Sequence, residues 1–260
     1  MNKVQAHCQI LRDLLKKNER ITLSQAMNVL SVSQSSARRL FDMLEEQGDA
    51  IRVHGAVVRV QRREYSYEEL ENRSQTAKEL IAACAASLVS PGEVIYLDSG
   101  TTLAAMASAL AERIRTEGLE IKVFTNSLVN LGILSPVTEV DLVGGRYRAN
   151  RKDTSGYMAE AMIKSLHFDR AFLGADGCAA GTGFTAGDFS TARLNEMVLS
   201  SAGYSAVLAD REKIDVSAVV SYTGSCMPDE LITDSEVSSS TSEYLTEAGV
   251  KVTVAGSETV

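Results

Sequence analysis

Residues 98–102 have the sequence DSGTT, which places hydroxyl groups, a carboxylate and a glycine where a strand pattern meets a helix pattern. The apolar residues 94–97 predict a buried strand, and the sequence LAAMASALAERI that follows predicts a helix. Gly100 permits close approach of the backbone, and the first free N–H groups of the helix point to the same place. This combination suits a phosphate group. The alternative is that Ser99 or Thr101 is a helix N-cap and nothing more.

Four further apolar runs predict strands that end in small, polar or charged residues. The runs are residues 121–124, 140–143, 170–173 and 205–209, and they lead into TNS, GGR, GADG and DREK respectively. Ligands of open parallel sheets lie at the carboxyl ends of the strands, where these groups would gather. Hydroxyls, an amide, carboxylates and a lysine together suit a phosphorylated polyol. Three of these segments also have a structural alternative: Gly144-Gly145 in a turn, Thr125-Asn126-Ser127 in a helix cap, and Asp176 as a loop carboxylate bonded to backbone N–H groups.

The first 60 residues predict three helices followed by a hairpin. Thr22 is an N-cap for the second helix, residues 31–33 form a turn, and Ser33 caps a third helix that runs to Gly48. Residues 50–60 alternate in the manner of two short strands around a tight turn. This succession is typical of a helix-turn-helix with a wing.

The polar side of the third helix is the place where a recognition helix meets base edges and phosphates. Arg38 and Arg39 are the main expected contacts with double-stranded DNA, and the wing adds cations. The predicted DNA-binding residues are Ser33, Gln34, Ser35, Ser36, Arg38, Arg39, Arg52 and His54. The alternative is a solvated basic helix with a stabilising hairpin.

The net charge of −8 is distributed unevenly. Residues 1–63 contain 11 Lys and Arg against 6 Asp and Glu, which gives +5 and leaves −13 for the remainder. This asymmetry predicts that only the N-terminal part meets a polyanion. We therefore predict a DNA-binding domain at 1–60, a linker at 61–76 where charged and polar residues crowd, and a ligand-binding and oligomerisation domain at 77–260.

Composition excludes several other classes of protein. No run approaches 18 consecutive apolar residues, and the N-terminus carries charge, so we expect a cytoplasmic protein without a membrane partner. The cysteines, at 8, 84, 178 and 226, form no C-x-x-C pair. We accordingly expect reduced thiols, with neither a zinc site nor a disulfide framework.

The sequence VSQSSARRLFDMLEEQGDAIRVHGA resembles the winged head of the DeoR (deoxyribose-operon repressor) family. LDSGTT, TNS, DLVGGRYR, FDRAFLGADG, GFT, VLADREKID and LITD follow in the order seen in that family's effector domain. The resemblance implies an α/β fold with a mostly parallel sheet, shared with ribose-5-phosphate isomerase and glucosamine-6-phosphate deaminase. Leu40 replaces the family's usual Asp in the winged head, so base preference is expected to differ from that of typical members. In the effector domain, Glu212 stands where the family usually has Ser or Thr.

The resemblance also implies a function and its residues. It predicts a homo-oligomeric regulator, usually a repressor of a carbohydrate-utilisation operon, whose operator binding responds to a sugar phosphate. Residues 98–102 would hold the phosphate, Thr125 and Asn126 would line the pocket, and Asp176 and Lys213 would reach the sugar hydroxyls or the phosphate. The full predicted effector set is Asp98, Ser99, Gly100, Thr101, Thr102, Thr125, Asn126, Gly144, Asp176 and Lys213.

The alternative is a sugar-phosphate isomerase or a deaminase-like enzyme. Isomerisation needs a base beside the carbonyl and a cation for the enediolate, roles that Asp176 and Lys213 could fill. The isomerase motif, however, continues with further acidic residues where this chain has GCAA. We therefore expect no catalysis, no cofactor and no metal. Repression, as opposed to activation, rests on what is usual in the family.

Overall fold

The computed structural model describes residues 3–18, 20–46, 50–53, 56–59 and 66–256 of the 260-residue chain. The chain divides into two compact units, residues 1–63 and residues 64–260. Each unit encloses a hydrophobic core of its own.

Among its described residues the smaller unit contains three helices and three short strands. They are, in chain order, α1 (Lys3–Asn18), β1 (Arg20–Thr22), α2 (Leu23–Leu30), α3 (Gln34–Glu46), β2 (Ala50–Val53) and β3 (Ala56–Arg59). The antiparallel pair β2–β3 is the predicted wing, and β1 pairs with the outer side of β3. The helix-turn-helix and wing are therefore confirmed. Strand β1 was not predicted, because Thr22, its last residue, was expected only as the N-cap of the second helix.

Local sequence explains the bounds of α2. The Thr22 side chain accepts a hydrogen bond from Gln25 N at 3.3 Å, and the Gln25 side chain accepts one from Thr22 N at 2.8 Å. This reciprocal capping box satisfies two N–H groups that the helix itself leaves unbonded. At the other end Ser31 adopts φ 51, and its N–H donates to Met27 O. The left-handed residue ends α2 and turns the chain into α3.

The larger unit is an α/β domain built on a seven-stranded parallel sheet. Its helices are α4 (Tyr67–Glu71), α5 (Gln75–Ser87), α6 (Thr101–Glu117), α7 (Leu128–Leu134), α8 (Tyr157–Ile163), α9 (Phe189–Leu199) and α10 (Ser239–Glu247). Its strands are β4 (Val94–Leu97), β5 (Lys122–Thr125), β6 (Val140–Leu142), β7 (Arg146–Arg148), β8 (Asp153–Ser155), β9 (Phe168–Gly174), β10 (Gly177–Ala179), β11 (Gly183–Ala186), β12 (Ala202–Leu208), β13 (Val220–Ser221), β14 (Glu230–Thr233) and β15 (Lys251–Val254). No helix within the described ranges is long and apolar enough to cross a membrane.

The order of the parallel strands is β15-β14-β12-β9-β4-β5-β6. The five strands predicted from apolar runs correspond to β4, β5, β6, β9 and β12, and the α/β fold class is confirmed. Strands β14 and β15 extend one edge and were not predicted. Two small antiparallel sheets, β7–β8 and β10–β11–β13, lie outside the parallel sheet.

Helices cover both faces of the parallel sheet, as the alternation along its central strands requires. In β4, Ile95 belongs to one buried cluster with residues of α5 and α6, whereas Tyr96 belongs to another with residues of α8, α9 and α10. In β9, Phe172 and Leu173 divide between the same two clusters. Successive side chains of a strand point to opposite faces, so a strand buried on both faces is apolar throughout.

Of the predicted linker at 61–76, residues 61–65 lie outside the described residues. Residues 66–76 belong to the larger unit, where they include α4 and the start of α5. Tyr67 is buried, and its N–H donates to Asn150 O at 2.8 Å.

Candidate functional site

The central strands β4 and β9 lie where the connectivity of the sheet reverses. From β4 the chain proceeds outward through β5 and β6, whereas from β9 it proceeds to the other side through β12, β14 and β15. Loops that leave the strands at such a switch point diverge and leave a crevice at the carboxyl ends. A cavity of about 650 Å³, counting its open mouth, lies there.

Helix α6 begins at this cavity. The chain passes from β4 through Asp98 and Ser99 to Gly100, which adopts φ 121 and ψ 163 as the N-cap residue. The Gly100 carbonyl accepts from Ala104 N at 3.0 Å, so the helix starts immediately after it. The first N–H groups of a 17-residue helix, together with its dipole, are thus directed at the residues that line the cavity.

No side chain caps α6, which removes the structural alternative for DSGTT. The N-cap residue is Gly100, which has no side chain to accept a hydrogen bond. Ser99 directs its hydroxyl elsewhere, donating to Asp153 Oδ2 at 2.8 Å. The interpretation of Ser99 or Thr101 as a simple N-cap is therefore wrong, and the start of the helix is open to an external anion.

Asp98 accepts hydrogen bonds from three segments that border the cavity. Its Oδ1 accepts from Ser99 N at 2.7 Å, and its Oδ2 accepts from Gly174 N at 3.2 Å and Asn195 Nδ2 at 3.3 Å. Burial raises the pKa of this carboxyl to about 6, although the two backbone N–H groups favour its charged form. The carboxylate thus joins the end of β4 to the end of β9 and to α9.

A cluster of ion pairs around the buried Asp153 contacts Ser99, in the segment that leads into α6. Arg148 donates to both oxygens of Asp153 at 2.7 Å, and its third contact is Asp188 Oδ1 at 2.9 Å. Asp153 is fully buried and also accepts the Ser99 hydroxyl. Bidentate pairing of this kind fixes orientation as well as charge. The cluster therefore fixes Ser99 in place, one residue before the helix N-cap.

The cavity is lined by charges of both signs. Its basic residues are Arg73, Lys78, Arg151 and Lys213, and its acidic residues are Asp98, Asp176, Asp210 and Glu212. Lys213 ends a 3-10 turn, residues 211–213, that is capped by the Asp210 side chain. Burial raises the pKa of Asp210, an effect that the charge of Lys213 opposes. A set with equal numbers of cations and acids, next to an uncapped helix N-terminus, suits a polar ligand that carries negative charge.

Lys78 is the buried cation of this set. Its side chain is 5% exposed, and its Nζ donates to Leu70 O at 2.5 Å. Burial lowers the pKa of Lys78, and the charge of Asp210 opposes that change. An ammonium group removed from water interacts strongly with any anion placed beside it, because screening there is weak.

Seven residues of the predicted effector set line the cavity. They are Asp98, Ser99, Gly100, Thr101, Thr102, Asp176 and Lys213. They come from the ends of β4, β9 and β12, which are neighbours in the centre of the sheet.

Thr125, Asn126 and Gly144 are not among the residues that line the cavity. The Thr125 hydroxyl donates to Leu97 O at 2.6 Å, the Asn126 side chain donates to Thr154 O at 3.4 Å, and Gly144 N donates to Met162 Sδ at 3.3 Å. Thr125 ends β5, Asn126 follows it, and Gly144 follows β6. These strands lie one and two strands away from β4 on the side opposite β9. Ser127 caps α7 by accepting from Asn130 N, so the capping alternative for this segment is confirmed.

Sequence analysis missed Arg73, Lys78, Arg151 and Asp210 as cavity residues. Lys78 carried a readable signal: it precedes Ile81, Ala82 and Ala85 at the spacing of one helical face, so it occupies the buried side of α5. A lysine in that position requires a partner. Arg151 lies in the turn between β7 and β8, a short antiparallel pair. No apolar run in the sequence predicts these strands, so the position of Arg151 could not be predicted from them.

In the smaller unit, α3 presents a polar surface. Six of the predicted DNA-binding residues lie in α3 or just before it, and all six are exposed, namely Ser33, Gln34, Ser35, Ser36, Arg38 and Arg39. The opposite side of α3 is buried through Ala37, Leu40, Phe41 and Leu44. Arg52 belongs to β2, but its side chain lies outside the described residues, as does His54 altogether. The roles of these residues stay predictions.

Within the described residues, no group of three or more His, Cys, Asp or Glu side chains is placed to hold a metal ion. The described cysteines at 8, 84, 178 and 226 form no disulfide.

Comparison with known proteins agrees with the division into two units. Residues 7–63 match the model of the DeoR-like helix-turn-helix domain, and residues 73–235 match that of the DeoR C-terminal sensor domain. The lactose phosphotransferase system repressor of Lactococcus lactis subsp. lactis is 32% identical over 92% of this chain and 93% of its own length. The HTH-type transcriptional repressor GlcR of Bacillus subtilis is 29% identical over 93% of each chain. Among solved structures, ribose-5-phosphate isomerase A from Methanocaldococcus jannaschii matches 57% of this chain and 55% of its own, with 24% identity and a TM-score of 0.40.

Proposed function

Since this chain belongs to the DeoR family of transcriptional regulators, we propose that it represses a carbohydrate-utilisation operon and that a phosphorylated sugar in the α6 cavity controls its binding to the operator. The observation that carries the proposal is the uncapped N-terminus of α6, which faces a cavity with buried and half-buried cations. The regulator would act in the cytosol as a homo-oligomer.

Each part of the cavity has a role in this proposal. The phosphate lies against the N–H groups at the start of α6 and the hydroxyls of Thr101 and Thr102, with Lys78 and Lys213 supplying positive charge. Sugar hydroxyls meet the carboxylates, which accept hydrogen bonds from them. Asp176, whose Oδ2 already accepts from Gly187 N at 2.8 Å, is held in position for such a contact.

The smaller unit binds the operator through the exposed side of α3. Ser33 caps the helix by accepting from Ser36 N at 3.3 Å, which leaves the following polar residues on the surface. Arg38 and Arg39 lie one turn further along and reach phosphates or guanine edges in the major groove.

The sugar phosphate must bind more tightly to one of two arrangements of the protein than to the other. A ligand with equal affinity for the DNA-competent and DNA-incompetent arrangements would shift nothing. The change in operator affinity therefore equals the change in effector affinity, since the coupling is reciprocal.

A ligand screen tests the proposal directly. The full chain is heated with a panel of pentose, hexose and triose phosphates and with their unphosphorylated parents. A ligand at 100 times its dissociation constant adds about 2.7 kcal/mol to the free energy of unfolding, so a true effector raises the melting temperature and its parent does not. Lys213→Gln should abolish the shift. Lys164→Gln, which changes an exposed lysine at the C-terminal end of α8 outside the cavity, is the matched control.

The same panel separates a sensor from an enzyme. A hit is incubated with the protein, and the sugar is analysed for isomerised or deaminated product. Binding without turnover, together with a change in operator affinity, supports the sensor. Steady turnover would instead support the isomerase or deaminase reading, and a panel in which no phosphate raises the melting temperature would remove the phosphate from the proposal.

A further inference from the structure

Helix α4 has only five residues, so its place depends on contacts with the rest of the larger unit. At its N-terminal end Tyr67 is buried and its N–H donates to Asn150 O at 2.8 Å. Lys152 adds two contacts to the same end: its Nζ lies 4.8 Å from the centre of the Tyr67 ring and 3.5 Å from Glu68 Oε1. This end of α4 is therefore fixed to the turn between β7 and β8.

The C-terminal end of α4 is fixed through the cavity instead. The Leu70 carbonyl accepts from Lys78 Nζ at 2.5 Å and from Arg73 N at 3.1 Å. Leu70, Arg73 and Lys78 all line the cavity into which α6 begins. The turn from α4 to α5 is thus part of the wall around the ligand space, and a change in the ligand space reaches α4 through one buried lysine.

Arg73 differs from the other cavity cations in its exposure. Its side chain is exposed although it lines the cavity, whereas Lys78 and Arg151 are buried. An exposed guanidinium on a short turn can reorient at little cost, and its planar fork matches two oxygens of a phosphate. Lys78 carries three N–H donors, so it can keep the Leu70 carbonyl while it donates to an anion.

We propose that Arg73 closes over the anion bound at the start of α6, so that Arg73 and Lys78 together clamp the α4–α5 turn onto the ligand. The inference rests on the proposed function, because it needs an anion in the cavity. Without an anion, the side-chain hydrogen bond described at the C-terminal end of α4 is the one from Lys78 Nζ to Leu70 O. With an anion present, the turn gains a second attachment through Arg73.

This clamp gives Arg73 a regulatory role as well as a binding role. In the sequence α4 is the first described helix or strand after β3, and residues 60–66 lie between the two. The clamp thus converts occupancy of the cavity into order of α4, the first helix of the larger unit.

Hydrogen exchange in the full chain tests the clamp, with inorganic phosphate as the probe. Saturating phosphate should slow the exchange of amides in two peptides, one covering the start of α6 at 100–104 and one covering 67–73. In Arg73→Gln the first peptide should still be protected and the second should not. Loss of the charged hydrogen bonds should weaken phosphate binding about tenfold. Arg73→Lys should restore part of the affinity, and Arg115→Gln, on the exposed C-terminal end of α6, should behave as the unchanged protein.

The outcomes separate the clamp from the proposed function. Protection at 100–104 without protection at 67–73 in the unchanged protein overturns the clamp and leaves the phosphate site in place. Protection at 67–73 that survives in Arg73→Gln also overturns it. Failure of phosphate to protect either peptide overturns the phosphate site and the clamp together. Melting temperatures measured without phosphate establish that the variants are folded.

Discussion

Asp98 affects both the stability of the protein and the arrangement of the segments around the site. A carboxylate without exposure to water is disfavoured, yet this one accepts hydrogen bonds from Ser99 N, Gly174 N and Asn195. The pKa of about 6 reflects the balance, with burial the larger effect. The protein retains an unfavourable charge here because the carboxylate joins the end of β4, the end of β9 and α9.

The raised pKa of Asp98 predicts how stability depends on pH. The folded-state pKa of about 6 exceeds the ordinary value of 3.8, so the folded state holds the proton more tightly than the unfolded state. The contribution of Asp98 to the free energy of unfolding is therefore greatest below about pH 4, decreases as the pH rises to 6, and is constant above it. Over this range the loss is about 3 kcal/mol.

Urea unfolding of the unchanged protein and of Asp98→Asn at several pH values isolates this contribution. The free energy of unfolding of the unchanged protein, relative to that of the variant, should fall between pH 4 and pH 7. Other titrating groups cancel in the difference. A difference that stays constant across the range would show that Asp98 titrates normally.

At the scale of elements, the site depends on how β4 passes into α6. Gly100 has φ 121 and ψ 163, a conformation that is essentially restricted to glycine. Helices usually begin at a residue whose side chain caps them, and α6 lacks that cap. The uncapped start of α6 leaves N–H groups for the external anion of the proposed function, at a cost to the helix's own stability.

Gly100→Ala should disturb both properties. We expect a loss of roughly 1–3 kcal/mol in the free energy of unfolding, because an alanine in this conformation is strained. Stabilisation by phosphate should also be lost, since relaxation of the strain moves the first N–H groups of α6. Gly132→Ala is the control: Gly132 lies within α7 with open space around it, and alanine there should be neutral or stabilising by up to about 1 kcal/mol. Equal behaviour of the two variants in urea unfolding would argue against this account.

Much of the site could be anticipated from the way its elements are encoded. The strands that bear it are short apolar runs followed by polar residues, so β4, β9 and β12 and their terminal groups were predictable. The order of strands in the sheet was not, because it depends on pairings such as that between β4 and β9, whose partners are some 75 residues apart. Thr125 and Asn126 have the residue types of a site but lie at the end of β5, one strand away from β4. Lys78 comes from α5 and Arg73 from the turn between α4 and α5, so an argument from the ends of strands could not find them.

At the scale of the whole molecule, the uneven distribution of charge separates operator binding from effector binding. Residues 1–63 carry +5 and the remainder −13, so the acidic unit repels the polyanion that the basic unit binds. Operator binding should depend on contacts in the smaller unit, and effector binding on contacts in the larger one.

Arg38→Ala tests this separation. Operator affinity, measured by fluorescence anisotropy on a fragment selected from random DNA by the unchanged protein, should fall about tenfold or more, and loss of a phosphate contact should reduce the salt slope by about 1. The thermal shift produced by a sugar phosphate should not change. Arg115→Ala, in the larger unit, should leave operator affinity unaffected. A loss of both activities in Arg38→Ala would contradict the separation.

The central strands β4 and β9 are far apart in the sequence, and this separation also affects how the protein folds during its synthesis. The core of the DNA-binding unit lies between Cys8 and Val57, whereas β4 cannot pair with β9 until residue 172 has been made. Ribosomes add roughly 5–20 residues per second, so the 197 residues after position 63 require about 10–40 s. We expect the operator-binding head of each nascent chain to fold before its sensor exists. During that interval, operator binding by a newly made DNA-binding unit would not respond to the effector.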